Sequence, residues 1–111
     1  MDQDFIAEAP AVIVIFANET RSARKYGRRG KELYCINDAS IFASYIQLAA
    51  SALGLGSCWV GAFDDDAIRR LLKAPDHLKP AAIIPLGYPD EKPEPKERRK
   101  LSDIAHEERF L

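Results

Sequence analysis

A chain of 111 residues, 47% hydrophobic and 30% charged, is expected to form one compact domain, which excludes most multi-domain enzymes. With 16 Lys and Arg against 17 Asp and Glu, the formal net charge of -1 lacks the long-range positive field that holds a nucleic acid. A domain of this size buries roughly 65% of its unfolded surface, enough for one core but little for a deep private active site, so help from a second subunit is expected.

Met1 to Ala9 carries three acids and no basic residue before any apolar run, which is not a secretory signal and points to the cytoplasm. Residues 10–17, PAVIVIFA, form a continuous β-branched and apolar run that predicts a strand covered on both faces. Between positions 18 and 36 the composition turns polar, with Arg21, Arg24, Lys25, Arg28, Arg29 and Lys31 around Gly27 and Gly30, and is read as a basic loop. Asn37 or Asp38 is a suitable N-cap for a helix over 38–53, with Gly54 placed to end it. Most of that helix is apolar, and Ser40, Ser44, Gln47 and Ser51 share one narrow face, so it reads as a central helix buried on nearly every side. Subunit association would supply cover that so short a chain lacks.

Ala39 to Phe63 contains no charged residue, yet Gly54 and Gly56 interrupt it and serines dilute it, so no membrane span is expected. Residues 57–63, SCWVGAF, predict a short strand. Asp64, Asp65 and Asp66 start a helix over 65–73 that Pro75 ends. Residues 80–89, PAAIIPLGYP, read as a strand whose prolines place part of it at a sheet edge or bend. Residues 90–111 form a C-terminal arm, with Ser102 placed to cap a turn over Asp103 to Glu107. The order is that of an α/β arrangement without internal repeats.

Glycines at 54, 56 and 61 strip side chains from a helix-to-strand junction, where a flat ligand could meet bare backbone N–H groups; turn geometry is the simpler account of the same residues. The order helix, GxG, strand is the reverse of the dinucleotide fingerprint. Lys96 and Arg98 in an extended arm put two cations on one side, suited to a phosphate, although Asp90, Glu91, Glu94 and Glu97 also suit a solvated tail. The basic loop either guides an anionic cosubstrate or is simply mobile, and mobility is the preferred reading. Cys35 and Cys58 read as inert packing, and His77 and His106 form no recognisable nucleophile or metal set. With no side-chain catalyst apparent, an enzyme built this way needs a cofactor to carry its reaction.

The segments AVIVIFAN, ELYCINDASIFASYIQLAASALGLGSCWVGAFDDDAIRRLL, KPAAIIPLGYP and PKERRKLSDI together resemble the C-terminal half of the FMN-dependent nitroreductase family, from about Ala9 to Ile104. The resemblance implies an α+β fold, an α/β sandwich present here as a partial version of the nitroreductase fold. It also implies a homodimer with FMN at the subunit interface, reduced by NAD(P)H and reoxidised by a small electron acceptor such as a nitroaromatic or a quinone. By position, Val60, Gly61 and Ala62 resemble the strand along the flavin edge, where the N–H of Gly61 or Ala62 would face flavin N5 and O4. Lys96 and Arg98 resemble the family's phosphate-binding pair, Arg98 being the better match to phosphate geometry. No catalytic side chain and no metal ligand are implied. The family's N-terminal half, with its arginine-containing phosphate grip, has no counterpart in these motifs. Two expectations follow: an FMN-dependent NAD(P)H oxidoreductase, or a non-catalytic dimerisation or flavin-binding module that needs a separate N-terminal partner chain.

Overall fold

The computed structural model describes residues 3–110. A single turn, α1 (Phe5–Glu8), leads into strand β1 (Ala11–Asn18), and Asn18 ends the strand by capping the next helix, its side chain accepting from the Arg21 N–H at 2.9 Å. The segment read as a basic loop is therefore helical. Helix α2 (Glu19–Arg29) runs to Gly27, whose φ of 59° and ψ of -141° break it, and the chain folds back through a π-helical turn (Gly30–Tyr34) into α3 (Cys35–Ala52). Only a glycine adopts that backbone without strain. Gly30 permits the fold-back, because a Cβ there would lie 2.5 Å from the Ser22 carbonyl oxygen. Residues 18–36 present loop composition but carry the parts of a helical hairpin: a capping Asn, an acidic first turn, Arg28 and Arg29 at the end, and two glycines where the turn demands them.

Since helix precedes position 37, neither Asn37 nor Asp38 acts as a cap; α3 instead enters directly from the π turn, with the Cys35 thiol donating to the Lys31 carbonyl at 3.0 Å. Its end follows the expected pattern. Gly54 takes φ 74°, the Leu55 N–H bonds the Ala50 carbonyl at 2.8 Å and the Gly54 N–H bonds Ser51 at 3.1 Å, the paired closure of a Schellman motif.

Strand β2 (Gly56–Ser57) is much shorter than the strand expected over 57–63, and beyond it only Val60 rejoins the sheet, through a bridge to Ile83. Helix α4 (Asp65–Leu72) is capped by Asp64, which accepts from the Ala67 N–H at 2.9 Å, and closes on Lys73 in the left-handed conformation. Strand β3 (Leu78–Gly87) completes an antiparallel sheet in the order β1-β3-β2, which makes the architecture α+β. Its prolines thus lie in the middle strand, not at an edge. Pro80 stands at the register shift where Ile15 pairs with Ala82 and Phe16 with Pro80. Pro85 shares its direction with Ile83, two residues earlier, which bonds Val60, so its missing N–H falls where the ladder toward β2 is interrupted.

Helix α3 packs across β1 and β3 through Cys35, Ala39 and Ala43, which join Ile15, Ala17, Ala82 and Ile84 in the core. Small residues let the helix lie close to the sheet. Its bulky residues face outward: Ile41, Phe42, Tyr45 and Leu48 are 56–65% exposed, so the helix is half covered in one chain, not wrapped on nearly every side. The arm after Gly87 is irregular apart from one 3-10 turn (Leu101–Asp103), where Ser102 bonds the Asp103 carboxylate rather than capping a helix. It carries the radius of gyration to 17.0 Å, against about 13 Å for a compact domain of this length.

Gly30→Ala is expected to cost about 1–3 kcal/mol, because the new methyl meets backbone that cannot yield. Urea unfolding followed by circular dichroism measures it, and an unchanged midpoint refutes the close approach of Ser22.

Candidate functional site

The chain leaves the sheet at Val60, and the site lies immediately beyond it. Val60 is buried, its N–H bonds the Ile83 carbonyl at 2.9 Å and its carbonyl accepts the Ile83 N–H at 3.0 Å. Both backbone groups of Val60 are thus spent on the fold, and it serves as a clamp, not as a ligand donor. Gly61 and Ala62 follow, both exposed, and among the described residues neither N–H donates a hydrogen bond. The Ala62 carbonyl is held by the Gln3 side-chain amide at 2.7 Å. Asp64 then fixes the other end of the segment at the start of α4.

Two consecutive N–H groups without partners among the described residues, in a segment anchored at Val60, Ala62 and Asp64, are a candidate donor pair. Such a pair suits a planar ring edge bearing carbonyl and nitrogen acceptors, and it stabilises negative charge there without any side chain. Space permits close approach: a Cβ on Gly61 would touch only the Trp59 indole, at 3.5 Å. The other glycines of the junction have structural work. Gly54 supplies the positive φ that ends α3, Gly56 packs under Pro89 with a Cβ distance of 3.3 Å, and on the facing strand Gly87 packs under Pro10 at 2.9 Å. Turn and packing geometry therefore account for 54 and 56, whereas at Gly61 neither a positive φ nor a close contact requires the glycine.

Lys96 and Arg98 are exposed on the arm. The Arg98 guanidinium turns back on its own segment, donating to the Lys96 carbonyl at 3.3 Å and the Glu97 carbonyl at 3.4 Å. Its guanidinium is thus engaged by its own segment, and Lys96 makes no ion pair among the described residues.

The cysteines differ. Cys35 is buried and its thiol is pushed up from the ordinary value, first by burial and then by the negative charge of Glu19, which fits an inert packing role. Cys58, expected in apolar surroundings, is exposed and lines a shallow pocket with Ser57, Leu86 and Tyr88. His77 takes part through its backbone, its carbonyl accepting the Glu19 N–H at 3.1 Å, and His106 lies 4.8 Å from the Phe110 ring. Among the described residues no group of His, Cys, Asp and Glu is placed to hold a metal, and no helix is long and apolar enough to cross a membrane. Gln3 was not foreseen: a lone polar residue near the start of the chain carries no signal of pairing with position 62.

The exposed Gly61 and Ala62 thus follow directly on the last bridge of a short antiparallel sheet. Residues 1–88 match the model of the nitroreductase family, and the chain belongs to that family. A protein of Methanocaldococcus jannaschii, provisionally described as a nitroreductase, is 41% identical over 87 residues, 78% of this chain and 42% of that relative. The oxygen-insensitive NADPH nitroreductase of Salmonella typhimurium is 26% identical over 97% of this chain and 48% of its own length. Among solved structures, a nitroreductase family protein of Clostridium difficile 630 superposes with a TM-score of 0.81 and 34% identity, covering 95% of this chain and 63% of that one. The chain thus spans about half the length of these curated relatives, and its fold is the nitroreductase fold.

A thiol reagent in excess should label Cys58 rapidly and Cys35 only on unfolding. Two equally fast thiols in the native protein would contradict the burial of Cys35.

Proposed function

We propose that this chain acts as an FMN-dependent NAD(P)H oxidoreductase of the nitroreductase type, two copies associating through the outward face of α3 and passing electrons to a small electrophilic acceptor such as a nitroaromatic or a quinone. The observation that carries the reading is the exposed Gly61 and Ala62 N–H pair, which fits the acceptor atoms along a flavin ring edge. Relatives named as an FMN reductase (NADPH) and an NADPH nitroreductase support the choice of cofactor and reductant. Bound FMN would supply hydride acceptance from NAD(P)H and electron delivery to the acceptor. The chain's own part is to orient the ring edge on Gly61 and Ala62, to favour negative charge there, and to bind the phosphate through Lys96 and Arg98.

The outward face of α3 supports association. Ile41, Phe42, Tyr45 and Leu48 form an exposed apolar stripe at helical spacing, the kind of surface that a second copy would cover. A second reading, a dimerisation or flavin-binding module without catalysis of its own that needs a separate N-terminal partner chain, is favoured by one observation: the chain spans about half the length of its curated relatives.

Added FMN should remain with the protein after desalting and give a visible flavin spectrum, and NAD(P)H should then bleach it. Retained flavin that bleaches supports the enzyme, and retained flavin without bleaching or no retention overturns it in favour of the module that needs a separate N-terminal half. Gly61→Pro, which deletes one ring-edge donor in an exposed segment, should weaken FMN binding about tenfold, and Arg98→Ala should weaken it more than Lys100→Ala. Equal effects at positions 98 and 100 sink the phosphate assignment. Tyr45→Glu, at a position 65% exposed in one chain, should give a folded monomer by light scattering; an unchanged mass places the association surface elsewhere.

A further inference from the structure

The segment from Val60 to Asp64 is tied at its ends by the sheet and by the cap of α4, and near its middle by a residue from the start of the chain. The Gln3 side-chain amide donates to the Ala62 carbonyl at 2.7 Å, across 59 positions. Helix α1 brings it there. The Gln3 carbonyl accepts the Ile6 N–H at 3.0 Å and the Asp4 carbonyl accepts the Ala7 N–H at 2.9 Å, so Gln3 opens a hydrogen-bonded turn. That turn lies against the end of β3. Pro10 packs on Gly87, and Phe5 and Glu8 line one shallow pocket with Ser57, Cys58 and Leu86. A hydrogen bond and a shared pocket thus both put α1 beside the stretch that leads to Gly61.

A tether at this carbonyl has a specific effect. The residues from Gly61 to Phe63 belong to no helix or strand, and Gly61 has no side chain to restrict it. A trans peptide is planar, so the bond to the Ala62 carbonyl fixes the plane that carries it. Gly61 and Ala62 then keep only the rotations that join this plane to the Val60 bridge. Donors aimed in advance stabilise a developing charge better than donors that must first be ordered.

We propose that Gln3 is a positioning residue for the Gly61 and Ala62 donor pair, holding both N–H groups in the orientation that meets the flavin ring edge and favours the reduced, negatively charged ring. The inference rests on the flavin reading above and adds to it a residue that acts through the backbone of Ala62.

The test uses the full chain. Gln3→Met keeps the length of the side chain and removes the donor without adding charge, while Glu8→Ala alters the same turn and leaves the bond to Ala62 in place. In the FMN-free protein, backbone NMR order parameters at Gly61 and Ala62 should fall in Gln3→Met from about 0.85 toward about 0.6 and hold in Glu8→Ala. Gln3→Met should bind oxidised FMN about threefold and reduced FMN about thirtyfold more weakly, which lowers the midpoint potential by about 30 mV. Its thermal melt should match that of the unsubstituted chain. Unchanged order at Gly61 and Ala62 overturns the proposal, as does an unchanged potential, which leaves Gln3 a structural residue whatever the melt does. An equal loss in Glu8→Ala also overturns it, as a general loosening of α1. FMN that the unsubstituted chain fails to retain overturns the flavin reading itself and the role of Gln3 with it, a result obtained before any variant is measured.

Discussion

The fold depends on how close α3 can lie to the sheet. Cys35, Ala39 and Ala43 face β1 and β3, and together with Ala17 and Ala82 they make a core in which Ile84 is the largest fully buried side chain. A contact surface so thin in side chains brings backbones near each other and gains its stability from packing density over a small area. The same choice fixes where everything else goes. With the small residues turned inward, the phase of the helix leaves Ile41, Phe42, Tyr45 and Leu48 no inward position, and the Schellman closure at Gly54 sends the chain back to the sheet next to β3. From that point Gly56 can pair with Gly87, Val60 with Ile83, and the following two residues are carried to the surface.

Much of this was legible in the sequence because the decisive signals are local. An apolar β-branched run after a proline gave β1, three consecutive Asp residues gave the start of α4, and Gly54 marked the end of α3. The errors share one cause. Residues 18–36 and the prolines of β3 were judged by composition, whereas their structure is set by position within a tertiary arrangement. A basic, glycine-bearing stretch looks like a loop until Asn18 is seen to cap it and Gly30 is seen to sit against Ser22. Pro80 and Pro85 are tolerated in a middle strand only because the ladder shifts register at one and breaks off at the other, which no periodicity displays.

The candidate site was legible to a different degree. Gly61 and Ala62 stood out through a resemblance, and the structure gives that placement a physical content by showing both N–H groups without partners. Val60 entered the same set through the same resemblance, and the sheet uses both of its backbone groups. The site also depends on a residue nearly sixty positions away, since Gln3 holds the Ala62 carbonyl, and long-range pairs of this kind are invisible to spacing rules. Lys96 and Arg98 mark the limit: their charge is evident in the sequence, but an arm that bonds mainly to itself does not fix where that charge is delivered.

The π-helical turn at Gly30–Tyr34 has a bearing on how such a chain tolerates change in length. A π turn amounts to one residue slipped into an otherwise regular α-helix, and each residue advances the helix by about 100°. Deleting a single position between Gly30 and Tyr34 would restore a regular helix and keep the phase of Ala39 and Ala43, but would turn the preceding helical segment against a β1 that is tied to β3. The mismatch would fall on the junction of α2 with β1 at Asn18, where the helix is capped. Because β1 also precedes the turn and gives Ile15 and Ala17 to the core that α3 closes, the extra residue is what lets α2 leave β1 and enter α3 with both in register.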